Sequence, residues 1–269
     1  MNQPLLHVFR NTPFGRETLL QSVYSCHQLQ LPLDIFIPED GKFLLYFGGD
    51  VVQIDLDKSY LSDPTTAQMH AEQTISLGAP VKYQFISPKS YTATGLPDLS
   101  PQLSIMACPR SMSDVTTRIG LGHIGQKVRK ILQISPFPIL IPGAAFKPWN
   151  SLVALYGGSQ SAANALQLAI DIHQRSKIPL QIISIGNRNN LEKMLVAQGL
   201  LEQINKFDWQ IFPGSSLQKH LYQIPHDALV ILGAYGHGSI KALFGSSMEM
   251  IQSQLPNPLL VVGPNYKPN

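Results

Sequence analysis

Two segments of the chain repeat each other without a gap, at a constant offset of 120 residues. The first runs Gly125-Gln126-Lys127-Val128-Arg129-Lys130-Ile131 and leads to Pro136-Phe137-Pro138-Ile139-Leu140-Ile141. The second runs Gly245-Ser246-Ser247-Met248-Glu249-Met250-Ile251 and leads to Pro256-Asn257-Pro258-Leu259-Leu260-Val261. Each opens on glycine, passes through a helical pattern and ends in Pro-x-Pro before a buried strand. Self-similarity at such a period implies two tandem copies of one α/β unit. The joint, residues 142–148, is rich in Pro, Gly and Ala, as a linker should be. The expected units are residues 1–143 and 149–269. A chain of 269 residues holds two ordinary domains. With 44% hydrophobic and only 14% charged residues, each unit has material for a core.

Strand and helix patterns alternate along both copies. In the first, residues 5–9 read as a buried strand, and 15–28 have helical apolar spacing at Leu19, Leu20, Val23 and Tyr24. A strand at 33–37 ends at Pro38. Residues 43–47 and 51–56 read as a β-hairpin around Gly48-Gly49-Asp50, an insertion whose purpose is open between a lid and a dimer contact. A helix at 65–77, a strand at 81–86, a turn-rich stretch at 87–101 and a strand at 103–107 follow. In the second copy the strands fall at 151–155, 180–185, 208–212, 228–232 and 259–262. Helices fall between them at 162–175, 190–201 (capped by Asn189 or Asn190), 217–222 and 248–254. This order predicts an α/β fold: two tandem doubly wound domains, each a mainly parallel five-stranded sheet with helices on both faces.

Composition removes several classes of function. A net charge of +3 is too small to argue for nucleic acid. The cluster Lys127, Arg129 and Lys130 is read as a solvated helix face. Cys26 and Cys108 lack metal spacing and are expected to be buried thiols in a reducing compartment. The first residues lack a signal-peptide pattern, and no apolar run approaches the roughly 18 residues of a membrane span. The expectation is a cytoplasmic protein with no membrane partner.

The chemistry concentrates in residues 232–247. The apolar run 228–232 stops at Gly233, and Gly236, His237 and Gly238 follow, then Gly245, Ser246 and Ser247. Glycines let a ligand approach the main chain, and N–H groups of such a loop and of the next helix start point at an anion. The two serines can add hydroxyl donors, so the loop reads as a phosphate cradle. In the first copy the corresponding strand continues Cys108-Pro109-Arg110, with no glycine before Gly120; Pro109 removes a donor there. The G-x-x-x-x-G-K-[ST] order is absent. No Asp or Glu lies between Gly233 and Met248 to hold a metal for hydrolysis. His220 and His226 lack a metal partner, and no catalytic residue is assigned. His237 and Lys241 are either phosphate contacts or ordinary turn and helix residues.

This stretch resembles the nucleotide-binding signature of the universal stress protein family, G-x2-G-x9-G-[ST]. Gly233 and Gly236 match its first two glycines and Gly245-Ser246 its last pair, with eight residues rather than nine between Gly236 and Gly245. The resemblance covers residues 151–264 well and 4–142 faintly. It implies a stress-response protein, acting by binding and signalling, with ATP, and Mg2+ beside it, as the cofactor. Tyr156, Gly157, Gly158 and Ile185 would meet the adenosine part; Gly233, Gly236, Gly238, Gly245, Ser246 and Ser247 would hold the phosphates, with His237 in the same loop open between a phosphate or ribose contact and a solvent-facing turn residue. It further implies that the units pair through their last strands about a pseudo-two-fold axis, an internal dimer that can also form a homodimer. Where the family commonly has Asp-Gly-Ser after the first strand, this chain has Gly157-Gly158-Ser159. Loss of that carboxylate costs about 1–3 kcal/mol of binding. The alternative reading is an interaction or scaffold protein of the same fold that binds no nucleotide; weak ATP hydrolysis is a third.

Overall fold

The computed structural model describes every residue except 1–2, 57–62, 89, 94, 100–101, 110–123, 144, 215–216, 236–254 and 269. The first half runs β1 (Leu5–Val8), α1 (Pro13–Leu29), β2 (Leu33–Phe36), β3 (Lys42–Phe47), β4 (Asp50–Asp55), α2 (Pro64–Ser76), β5 (Tyr83–Ile86), β6 (Ser90–Tyr91), β7 (Pro97–Leu99), β8 (Ile105–Ala107), α3 (Gln126–Ile134) and β9 (Ile139–Ile141). The second half runs β10 (Ser151–Tyr156), α4 (Gln160–Ser176), β11 (Leu180–Ile185), α5 (Arg188–Ala197), α6 (Leu201–Ile204), β12 (Asp208–Phe212), a 3-10 helix (Leu217–Gln223), β13 (Ala228–Gly233) and β14 (Leu259–Val262).

Ten strands form one continuous sheet in the order β12-β11-β10-β13-β14-β9-β8-β1-β2-β5. Within each half of this sheet every pairing is parallel, and the halves share one order, third-second-first-fourth-fifth. The junction is antiparallel, with Leu259 opposite Ile141, Leu260 opposite Leu140 and Val261 opposite Ile139. Leu140 and Leu260 are repeat equivalents, so the pseudo-two-fold axis passes through that pair. This is the tandem doubly wound architecture and the pairing that the repeat and the resemblance imply.

Parallel strands covered on both faces should be apolar throughout, and β1, β8, β9, β13 and β14 are buried at every residue. One face packs α1, α2, α4 and α5 through residues such as Leu19, Val23, Ala71, Leu166 and Leu195. The opposite face carries Leu6, Val8, Val153 and Ile183. In the first half that opposite face is covered by α3 and by a second, four-stranded sheet, β4-β3-β7-β6. The expected hairpin is therefore present, turning at Gly48 (φ 66°). It is not free-standing: Phe43, Leu45, Phe47, Val52 and Ile54 pack down onto the main sheet.

Three local expectations are corrected. Residues 87–101 contain the short strands β6 and β7. The single helix expected at 190–201 is two, α5 and α6, separated where Gly199 takes φ 69°. Its cap is Asn187, whose side chain accepts from the Asn190 amide at 3.3 Å. The basic cluster of α3 lies on an accessible face and is also tied down: Lys127 pairs with Asp55 at 3.4 Å, Lys130 donates to the Val51 carbonyl at 2.9 Å, and Arg129 Nε donates to the Ile124 carbonyl at 3.0 Å.

The joint between the halves is held by α1. Gln21 donates to the carbonyls of Gly143 and Ala145 and accepts from the Gly143 amide. Glu17 accepts from the Phe146 amide, and the Tyr24 hydroxyl donates to the Trp149 carbonyl. Buried amide and carbonyl groups of a linker need such partners.

Candidate functional site

The strand order of the second half reverses between β10 and β13, and ligands in open α/β sheets sit beyond the carboxyl ends of strands at such a point. Leu155 faces Leu232 in the β10–β13 register, so both strands end side by side, one at Tyr156 and the other at Gly233. The two sequence motifs are therefore neighbours, as the topology predicts.

After β10 the chain turns through Gly157, Gly158 and Ser159 into α4. Ser159 caps the helix, its hydroxyl accepting from the Ala162 amide at 3.2 Å. Gly158 takes φ 84°, a left-handed conformation that favours glycine. Gly157 is not among the residues at positive φ, so its backbone does not itself demand glycine.

Gly233 has a different reason to be glycine. A Cβ built there would lie 2.3 Å from the Ser161 carbonyl carbon and 2.4 Å from the Ala162 nitrogen. The end of β13 thus touches the main chain of the first turn of α4.

Tyr156 is fully buried among the residues between the sheet and α4 and α5. Its hydroxyl donates to Gln198 Oε1 at 2.7 Å, and Gln198 Nε2 donates to the Gly158 carbonyl at 3.1 Å. Burial pushes the Tyr156 phenol up to about 12. Its side chain is thereby committed to fixing the 157–158 turn against the end of α5. Ile185 ends β11 opposite Phe212 and is buried on the other face with Leu155 and Leu232. His220 stacks on Phe212 with ring centroids 4.4 Å apart and planes at 12°.

Beyond Gly233, the Ala234 amide donates to the Val262 carbonyl at 2.7 Å. Tyr235 takes φ 55°, and its hydroxyl donates to the Arg129 carbonyl of α3 at 3.0 Å. The start of the glycine loop is thus anchored on the first half of the molecule. No sequence signal announces this contact, because a tyrosine between Gly233 and Gly236 offers no pattern to read. Gln198 and the Met194 side chain that covers Gly158 were missed for the same reason. Gly236, His237, Gly238, Lys241, Gly245, Ser246 and Ser247 lie outside the described residues.

The equivalent point of the first half is built differently. After β1, Arg10-Asn11-Thr12 leads into α1, where Thr12 caps by accepting from the Gly15 amide at 2.9 Å. Asn11 accepts from Arg16 at 3.0 Å and meets His70 of α2 at 2.8 Å. Polar side chains occupy the turn that glycines form in the second half. After β8, Cys108 is buried and its amide donates to the Leu140 carbonyl at 2.9 Å. Cys26 is buried as well, and burial raises both thiols far above their ordinary range. Among the described residues no group of His, Cys, Asp and Glu is placed to hold a metal, and no helix is long and apolar enough to cross a membrane.

No family model matches the chain. A universal stress protein of Synechocystis is 24% identical over 153 residues, which are 54% of this chain and 53% of the relative. The chain therefore spans about half the length of the curated relative it matches. Among solved structures, a universal stress protein from Archaeoglobus fulgidus superposes with a TM-score of 0.57 at 16% identity, covering 97% of this chain and 98% of that one. A putative universal stress protein from Pseudomonas aeruginosa gives 0.53 at 15% identity, covering 98% and 94%.

Proposed function

We propose that this chain, which has the tandem universal stress protein fold, binds ATP or another adenine nucleotide in its second half only and acts as a stress-response binding and signalling module. The observation that carries the reading is the meeting of Gly233 and the Gly157-Gly158-Ser159 turn at the strand-order reversal. The main chain at Tyr156, Gly157, Gly158 and Ile185 would face adenosine. Gly233, Gly236, His237, Gly238, Gly245, Ser246 and Ser247 would face the phosphates, with Mg2+ accompanying them. In the first half, the Asn11, Arg16 and His70 side chains at the equivalent turn and the missing glycines argue for a structural partner. The units are taken as residues 1–143 and 149–269, and the protein as cytoplasmic.

The anchoring of Tyr235 on α3 supports signalling over catalysis, because it ties the start of the loop to the other half of the molecule. Gly157 in place of a carboxylate favours the second reading, an interaction protein that binds no nucleotide. Gly236→Val separates the two. A branched side chain where phosphate approaches the main chain should abolish ATP binding in equilibrium titrations and leave the melting curve unchanged. ATP binding by the variant equal to that of the parent would mean that the phosphates do not lie at this loop.

A further inference from the structure

We infer that α3, an element of the first half, positions the head of the glycine loop in the second half, so that the β3–β4 hairpin regulates nucleotide affinity across the molecule. This coupling rests on the nucleotide reading of the second half proposed above. Tyr235 stands between Gly233 and Gly236 in the chain. It takes φ 55°, a left-handed conformation that a bulky side chain disfavours. Backbone strain of this kind persists only where the surroundings hold it. The Arg129 carbonyl of α3 provides such a hold, accepting from the Tyr235 hydroxyl at 3.0 Å.

The position of α3 is set from outside the helix. It has nine residues, and Gly125 at its start supplies no side-chain cap. A helix that short is not stable alone. The first half fixes it through the hairpin: Asp55 pairs with Lys127, and the Val51 carbonyl accepts from Lys130. The second half fixes it at the other end. Asn265 Nδ2 donates at 3.2 Å to the Ile134 carbonyl, one of those the last turn leaves without a helical partner. A Cβ at Gly263 would strike the Leu132 carbonyl oxygen, so the exit of β14 lies directly against the helix end. Val128, Ile131 and Leu132 share their core with Val230 and Leu232 of β13, the strand that leads into the loop. A displacement of α3 at the hairpin therefore carries the Arg129 carbonyl with it, and Tyr235 follows. Holding the main chain at the head of the loop in its bound conformation raises affinity without adding a ligand contact.

A double-mutant cycle on the full chain tests the coupling. Tyr235→Phe and Asp55→Asn both keep the shape of the side chain and remove one contact of α3 each. Calorimetric titration with ATP should show about tenfold weaker binding for Tyr235→Phe and about threefold weaker binding for Asp55→Asn. The double variant should bind no more weakly than Tyr235→Phe alone, because the hairpin acts through that tyrosine. Coupling is reciprocal. Saturating ATP should therefore slow amide hydrogen exchange across Gln126–Ile134 in the parent and leave it unchanged in Tyr235→Phe. A purely structural role for these contacts would lower the melting temperature and leave ATP affinity and ATP-dependent exchange untouched. ATP binding by the parent with unchanged affinity in Asp55→Asn, with additive effects in the double variant, or with no slowing of exchange in α3 would overturn the coupling alone. No ATP binding by the parent would overturn the nucleotide reading and the coupling with it.

Discussion

Gly233 and Gly158 are both glycines of one turn region, yet they are glycine for different reasons. Adding a methyl group at Gly233 drives it into the main chain of α4, which cannot step aside. Gly233→Ala should therefore destabilise the fold by about 2 kcal/mol or more, read as a lowered urea midpoint. At Gly158 the nearest obstacle is the far end of the Met194 side chain, which can move. The cost of Gly158→Ala is then mainly that of a left-handed alanine, about 1 kcal/mol. The sequence signature was legible at both positions, but a glycine pattern does not say whether it serves a ligand or a close packing contact. His7 was not legible at all. It sits fully buried in β1, its Nδ1 2.9 Å from Ser22 Oγ, and burial lowers its pKa to about 3. Below about pH 6.5 the unfolded chain takes up a proton at His7 that the folded chain refuses. Stability should fall as pH drops from 6.5 toward 3, by up to about 1.4 kcal/mol per pH unit. Pairing melting curves of the parent with those of His7→Gln isolates this slope, and the variant should lose it.

Elements with long, regular patterns were read from sequence with boundaries displaced by a few residues. The failures have local causes. β6 and β7 are two and three residues long, too short for an alternating pattern to register among prolines and serines. The hairpin was visible, but its second sheet depends on β3 pairing with β7, a contact between distant segments. The partners of the basic cluster on α3 were not legible, because nothing local reveals Asp55 and the Val51 carbonyl opposite it. Tyr235 makes a further long-range contact with α3, reaching it from a residue 106 positions away. Tyr235→Phe removes that hydrogen bond without changing shape. Equilibrium unfolding should register a loss of about 1 kcal/mol.

At the scale of the whole molecule, the repeat carried the information. An offset of 120 residues relates β9 to β14, and those two strands meet antiparallel about the Leu140–Leu260 pair. A strand that pairs with its own repeat equivalent can also pair with a second copy of itself. Residues 149–269 expressed alone would leave the β14 edge open, an edge that invites pairing. The isolated unit should sediment as a dimer, and a monomer at micromolar concentration would contradict this. The tandem units and the turn at Gly157–Ser159 were thus legible in the sequence, and the junction came with the family resemblance. The rigid anchoring of that turn by Tyr156 and Gln198 was not, because it joins residues 42 positions apart through side chains with no motif. The central claim is one adenine nucleotide per chain, held in the second half at an affinity reduced by Gly157. Calorimetric titration of the nucleotide-stripped parent and of Gly157→Asp with ATP tests it directly. The account predicts one ATP per chain for both proteins and about tenfold or more tighter binding by the variant, whose backbone at that position does not require glycine. Absence of heat for both proteins at millimolar ATP would contradict it and leave the fold as an interaction scaffold.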